Sequence, residues 1–261
     1  MKLAVTSLRW GVGAGDIVRG VDLNVERGEF VGVIGPNGSG KSSLLRCAYR
    51  VNKPRFGSIL LDGEEVWKLR AREFARRAAA VPQEMPGQFD FTVREIAAMG
   101  RYPHKKALQR DDAHDFALVD RALEYVGMLD RAGRSFASLS GGEKQRALIA
   151  RAIAQEADFL ILDEPTNHLD IYYQLEIMDL LRSLGVTSLV VMHDLNLAAQ
   201  YCDRVYVMKD GHVFASGAPA AVLTPELIRA VYRVEAGVAP DPATKRPRIS
   251  FLRRLGADES L

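Results

Sequence analysis

Two stretches of this chain have the residue types and spacing to handle phosphate. The first is Gly35-Pro36-Asn37-Gly38-Ser39-Gly40-Lys41-Ser42-Ser43, which follows the apolar run at residues 30–34 and leads into Leu44, Leu45 and Ala48. Strand, glycine-rich loop and helix in series is the setting that a phosphate-cradling loop requires. Side chains would keep the backbone from wrapping an anion, so glycines stand where N–H groups and the positive helix start must point at phosphate oxygens. Lys41 would reach the β- and γ-phosphates as a point charge, and the Ser42 hydroxyl would coordinate Mg²⁺. These residues predict that the chain binds a nucleoside triphosphate. The second stretch, Leu139-Ser140-Gly141-Gly142-Glu143, has the spacing of a capping box, with two glycines baring the backbone at the first turn of a helix. A helix start of this kind can meet an anion, or it can be an ordinary cap with glycines for close packing.

A third element supplies catalytic groups. Asp163 and Glu164 close the apolar run 160–162 and precede Pro165. Carboxylates at the C-terminal end of a buried strand lie where open α/β sheets bind ligands. Beside a bound triphosphate, Asp163 would hold Mg²⁺ directly or through water, and Glu164 would orient and deprotonate an attacking water. One nucleotide cannot easily satisfy two phosphate-binding helix starts in one small chain. Two chains sharing two nucleotides head to tail can.

The elements that must position these groups are legible in outline. Residues 2–8 and 17–25 alternate apolar and polar side chains, and residues 59–66 form a hairpin candidate turning at Asp62-Gly63, so an antiparallel layer is expected at the N-terminus. Residues 70–77 read as a basic helix and 78–81 as a short buried strand. Thr92 and Glu95 have capping-box spacing, and residues 112–126 make an amphipathic helix, so a mostly helical insert is expected over 87–155. The short apolar runs 159–162 and 189–192, separated by a helix with Ile171, Leu175, Met178 and Leu181 on one face, indicate a mostly parallel core. Residues 205–208 and 213–215 form another hairpin around Asp210-Gly211, and Thr224-Pro225 opens a helix. The tail after Val234 is rich in proline and basic residues, and is expected either to be disordered or to pack on a partner protomer.

Composition narrows the function classes. A chain of 261 residues with a formal net charge of +2 offers no whole-chain electrostatic case for a nucleic-acid partner. No apolar run approaches the roughly 20 residues that span a bilayer. The first residues, with Lys2 and Arg9, lack the apolar core of a signal peptide, so a cytosolic location is expected. Cys47 and Cys202 form no C-x-x-C pair and read as structural thiols. His104, His114, His168 and His212 show no metal-ligand spacing.

The ordered set of phosphate loop, Gln83, Leu139 to Glu143, Asp163-Glu164, Asn167-His168-Leu169-Asp170 and His193 resembles the nucleotide-binding subunits of ABC transporters over nearly the whole chain. The resemblance implies an α/β fold: a P-loop NTPase core, an N-terminal antiparallel β-layer and an inserted helical subdomain. It places the core and β-layer at 1–86 and 156–234, the helical subdomain at 87–155 and a tail at 235–261. It implies ATP as substrate with Mg²⁺ as cofactor. Gln83 would contact Mg²⁺ and the attacking water, and His193 would bond the γ-phosphate. Ser140, Gly141, Gly142 and Glu143 would close on the ATP held by a second copy, and Asp170 would couple the two sites. Trp10 stands where an aromatic residue stacks on adenine, although a lone Trp also suits core or edge packing. Standing alone, His193 would read as a strand-end histidine. Lys144, where Arg or Gln is usual, and Ser43, where Thr is common, are departures that leave ATP binding intact.

Residues 92–104 are similar to the segment after the corresponding Gln in ATPases of iron-chelate, haem and vitamin B12 importers. Asp170-Ile171 with Gln174, residues 193–196 and residues 241–247 are similar to the ferric-siderophore branch. A purely structural role for Gly100 to His104, as a helix stop, is the lesser alternative. The expectation is an ATPase at the cytoplasmic face of the membrane that works with separate permease subunits, and indirectly with a substrate-binding protein. Haem and B12 import are the alternatives. A soluble ABC ATPase acting on DNA or ribosomes would carry a coiled-coil insert or a second ATPase unit, and a P-loop kinase or GTPase leaves residues 139–143 unexplained.

Overall fold

The computed structural model describes residues 1–83, 91–106 and 109–256. They form two compact units, Met1–Trp67 with Thr187–Leu261, and Lys68–Val186. The boundary expected between residues 86 and 87 lies outside the described residues, as do residues 257–261 of the expected tail.

The first unit opens with β1 (Leu3–Val12) and β2 (Gly15–Val25), paired antiparallel from Leu3 opposite Val25. Leu3, Val5 and Leu8 on β1 and Val18, Val21, Leu23 and Val25 on β2 are buried while their neighbours face out, which is the alternation a one-sided sheet demands. Next come β3 (Phe30–Ile34), buried along its whole length, and α1 (Lys41–Ala48). Then β4 (Phe56–Leu61) pairs with β1, and β5 (Glu64–Glu65) turns back through Asp62 and Gly63, both at positive φ. Lys2 is buried at 1% exposure and its Nζ reaches Asp62 Oδ2 at 2.7 Å, so an ion pair fastens the first strand to that turn.

The second unit contains α2 (Ala71–Arg77), β6 (Ala79–Val81), α3 (Val93–Ala98), a 3₁₀ turn at Met99–His104, α4 (Ala113–Tyr125), α5 (Gly141–Ala154), β7 (Phe159–Asp163) and α6 (Ile171–Ser183). β6 runs parallel to β7, with Val81 beside Leu162. Thr92 and Glu95 form the expected capping box at α3. On α6 the inward face is Ile177, Met178 and Leu181, whereas Ile171, expected among them, is 76% exposed. Ile171 directly follows the Asp170 cap, where the first turn has not yet reached the core.

Gly100 to His104 has a structural role inside this unit. A Cβ on Gly100 would lie 2.2 Å from the Arg151 carbonyl oxygen of α5. Arg101 is buried and donates to Asp115 Oδ1 at 2.9 Å, to the Ala154 carbonyl at 2.7 Å and to Glu156 Oε2 at 2.8 Å. Burial would push the Asp115 carboxyl up, but the Arg101 guanidinium, the Asp112 N–H and nearby Lys105 outweigh it and hold it below its ordinary 3.8. Arg101→Met is expected to cost about 3–5 kcal/mol, because it strands a buried carboxylate. A urea midpoint measures this, and the double variant with Asp115→Leu should recover part of the loss. A depressed carboxyl stabilises the fold above its unfolded pKa, so the Asp115 contribution is complete above 3.8 and disappears as pH falls through the lower folded value.

The chain returns to the first unit with β8 (Thr187–Val191), α7 (Leu195–Tyr201), β9 (Arg204–Lys209), β10 (His212–Gly217), α8 (Pro219–Val222), α9 (Pro225–Tyr232), β11 (Val234–Pro240) and β12 (Pro247–Arg254). Here the strand order is β10-β9-β3-β8, with β8 and β9 parallel to β3 and β10 antiparallel to β9. The fold is therefore α/β, with mostly parallel core strands and the antiparallel layer β2-β1-β4-β5. Of the two expectations for the tail, disorder does not hold over residues 234–254: β11 and β12 form an antiparallel hairpin from Val234 opposite Arg254 to Pro240 opposite Pro247.

Candidate functional site

Within the first unit, β3 delivers the chain into the loop at Gly35 and α1 receives it at Lys41. A Cβ on Gly35, at φ 148, would lie 2.2 Å from the Met208 carbonyl oxygen, so only glycine admits this exit from the strand. Most of the described α-helices open on a side chain that caps them: Thr92, Asp112, Ser140, Asp170, Asp194 and Thr224. α1 opens instead on Gly40, with no side-chain cap and no acid in its first turn. Its N–H groups and positive dipole end are therefore matched by no carboxylate of its own. Lys41 is buried, and its ammonium donates to the carbonyls of Gly35 at 2.8 Å and Pro36 at 3.1 Å, which folds the loop around the charge. Ser39 is 2% exposed and its buried hydroxyl has no hydrogen-bond partner. An orphaned buried hydroxyl in an anion-shaped loop is the kind of atom a ligand satisfies.

His193 belongs to the same end of the same sheet. β8 lies beside β3, with Val33 opposite Val191 and the Met192 N–H donating to the Val33 carbonyl at 3.0 Å. The residue after Met192 therefore leaves the sheet next to the residue after Ile34, and His193 is exposed there. Trp10 is half-buried on β1, at a shift in its register with β2.

Within the second unit, the parallel pairing of β6 and β7 brings Gln83 and Glu164 to the same strand ends. Gln83 Nε2 donates to Glu164 Oε2 at 2.9 Å, and Asn167 Nδ2 donates to the same oxygen at 3.0 Å. Glu164 adopts φ 53, a left-handed conformation uncommon for a non-glycine residue. Such strain is kept where surrounding structure holds it, and it clusters at functional sites. Asp163 is 1% exposed at the last position of β7. Residue order alone gave no sign of the Asn167 bond or of the backbone turn at Glu164.

The start of α5 has the expected capping box. Ser140 Oγ accepts from the Glu143 N–H at 3.4 Å, and the Ser140 N–H donates to Glu143 Oε2 at 2.8 Å. Arg131 pairs with the other oxygen of Glu143, offsetting its charge at the helix start. A Cβ on Gly142 would sit 3.4 Å from the Tyr173 ring, and one on Gly141 would sit 3.6 Å from Leu169. Both are ordinary van der Waals distances, so packing by itself does not require glycine at either position. Asp170 caps α6 by accepting from the Tyr173 N–H at 3.2 Å. The fold thus brings Gly141 beside Leu169 and Gly142 beside Tyr173.

A phosphate-shaped loop between a parallel strand and a helix, on an α/β core with an added antiparallel layer, defines a P-loop nucleotide-binding fold. The ABC transporter family matches residues 18–167, more than half of the chain, so the chain belongs to that family. It is 43% identical over 248 residues to the cobalamin import ATP-binding protein BtuD of Halobacterium salinarum, a match covering 94% of this chain. The chain spans 62% of the length of that relative. It is 37% identical over 257 residues to the ferric enterobactin transport ATP-binding protein FepC of Escherichia coli, covering 97% of this chain and 95% of that one. Among solved structures, a chain from an ABC transporter assigned to the metal-chelate type, in an inward-facing conformation, superimposes with a TM-score of 0.83. That pair is 27% identical, with 97% of each chain covered.

Proposed function

We propose that this chain hydrolyses ATP to power import of an iron chelate, a ferric siderophore, through separate permease subunits in the membrane. The observation that carries the hydrolytic reading is Glu164, held in a strained backbone turn with one carboxylate oxygen bonded by both Gln83 and Asn167. Two donors on one oxygen fix the carboxylate in place, and a carboxylate so held is a base able to accept the proton of an attacking water. Loop N–H groups, the α1 start and Lys41 bind the phosphates, and Trp10 stacks on adenine. His193 bonds the γ-phosphate.

Ser42, Gln83 and Asp163 offer the hard oxygen donors that Mg²⁺ takes. Gln83 donates through its nitrogen to Glu164, so its amide oxygen is the atom it would offer to a cation. When bound, the ion neutralises charge on the β- and γ-phosphates.

Ser140, Gly141 and Gly142 of a second copy, with its Glu143 and Asp170, complete each site. ATP then favours the closed pair because only that state offers both sets of contacts, and loss of the γ-phosphate releases it. Among the described residues no helix is long and apolar enough to cross a membrane. On this reading the pore belongs to partner subunits, and the chain works peripherally at the cytoplasmic face, fed indirectly by a substrate-binding protein. Nucleic acid has no place in this cycle.

The iron-chelate assignment draws on the likeness to FepC over nearly the full length of both chains. The higher identity to a cobalamin import protein keeps B12 as the second reading. Uptake by proteoliposomes carrying the chain with its permease and binding protein separates the two. A ferric siderophore is expected to accumulate in an ATP-dependent way, whereas uptake of B12 or haem in its place would overturn the substrate assignment.

A further inference from the structure

We propose that the C-terminal hairpin β11–β12 is a brace that sets the position of His193 by holding α7, with Asn196 and Arg246 as positioning residues. The inference rests on the ATP-hydrolysing reading for its kinetic consequence and on geometry within the first unit for its structural one.

α7 spans seven residues, too few to persist without tertiary support. Its start is fixed by Asp194, whose carboxylate accepts from the Asn196 N–H at 2.7 Å and the Leu197 N–H at 3.0 Å. His193 lies one residue earlier, between the end of β8 and that cap. The backbone at His193 therefore follows wherever α7 is docked.

Most of the circumference of α7 is docked by burial of Leu195, Leu197, Ala198, Ala199 and Tyr201. The hairpin holds the helix by polar contacts. Asn196 Nδ2 donates to the Ile249 carbonyl at 3.1 Å, and Asn196 Oδ1 accepts from the Ile249 N–H at 2.8 Å. One side chain thus consumes both backbone groups of a β12 residue, as a neighbouring strand would. At the other end, Arg246 Nη1 donates to the carbonyls of Ala199 at 3.2 Å and Cys202 at 2.9 Å. These groups lie at a helix C-terminus, where a cation meets both the unpaired carbonyls and the negative dipole end. The hairpin therefore clamps α7 in its first turn and at its end.

The hairpin is poorly explained as core-building. Among its residues only Ala236 and Ile249 are buried apolar side chains, while Phe251 and Leu252 are 57% and 70% exposed. A two-stranded hairpin is marginal by itself. This one is closed by Asp241, which accepts from the N–H groups of Ala243 and Thr244, and it packs against α9. Its specific bonds go to the helix that follows His193.

The test uses the full chain with its histidines isotopically labelled, together with ATPase kinetics. In Arg246→Met, which keeps the aliphatic stem, and in Asn196→Asp, the ring resonance of His193 is expected to shift while those of His104, His114 and His168, in the other unit, stay fixed. The kcat is expected to fall about tenfold, with a smaller change in KM for ATP, because misplacing a reacting group costs rate before it costs binding. Arg246→Lys, which keeps one donor, should restore part of the rate. In a His193→Ala background, adding Arg246→Met is expected to change kcat by less than about twofold, since residues that act through one another are not additive. A full multiplicative loss in that background, or an unmoved His193 resonance, would overturn the brace. A wild-type chain that binds but never hydrolyses ATP would sink the hydrolytic reading instead, and the resonance shifts would still decide whether the hairpin positions His193.

Discussion

Glu164→Gln is expected to lower ATP hydrolysis by about 10²–10⁴-fold while leaving ATP affinity within a few-fold of wild type. The amide keeps the size of the side chain, and its oxygen can still accept from Gln83 and Asn167, which now meet at Glu164 Oε2 at 2.9 and 3.0 Å. The strained backbone at φ 53 is unchanged, so the protein should fold with an unaltered melting temperature. What disappears is the oxygen able to take a proton from water. The contrast variant is Glu164→Val. A β-branched residue is costly at this φ, so Val should lose both activity and stability. ATP should hold Glu164→Gln in a long-lived closed dimer, visible as an ATP-dependent shift in size-exclusion chromatography, because the step that releases closure is blocked. Hydrolysis at the wild-type rate would remove Glu164 from the chemistry and leave its backbone strain without a catalytic explanation.

Much of this site was legible because local rules and tertiary demands agree. The loop from Gly35 to Ser43 could be placed between strand and helix, since a five-residue apolar strand and a helix with Leu44 and Leu45 bracket it. Asp163 and Glu164 were placed at a strand end for the same reason. The orientation of Glu164 was not legible, because it depends on a left-handed backbone and on Asn167, three residues further along the chain. The role of Arg101 was not legible for a different reason: Asp115, Glu156 and a helix end are distant in sequence, and only the fold brings them together on its guanidinium. Lys2 behaves alike, as a charge near the N-terminus that is buried against Asp62. Order in the tail was not legible because Pro240, Pro242, Pro247 and five basic side chains resemble a disordered segment, whereas Pro240 ends β11, Pro247 opens β12 and Arg246 is spent on the end of α7.

The shared-site reading makes its sharpest demand on paired variants. Ser140→Arg puts a long cation at an exposed helix cap. In its own chain it removes one capping bond, which costs about 1 kcal/mol, so folding and ATP binding at its own loop should survive. Lys41→Ala removes the ammonium that lies across the loop, and its own ATP site should fail. If each ATP is completed by the partner's Ser140 helix, two mixed dimers carrying the same two substitutions must differ. With Ser140→Arg in one protomer and Lys41→Ala in the other, the intact loop of the first faces the intact cap of the second, and one working site remains. With both substitutions in the same protomer, the wild-type loop faces the damaged cap and the damaged loop faces the wild-type cap, so neither site works. The first pairing should retain up to about half of the wild-type rate and the second close to none. Sites completed within one chain require the opposite ranking, since the doubly substituted protomer would then leave its wild-type partner whole. Covalently linked dimers assayed for ATP turnover under identical conditions measure that ratio, and its direction decides between a site shared by two copies and one built within a single chain.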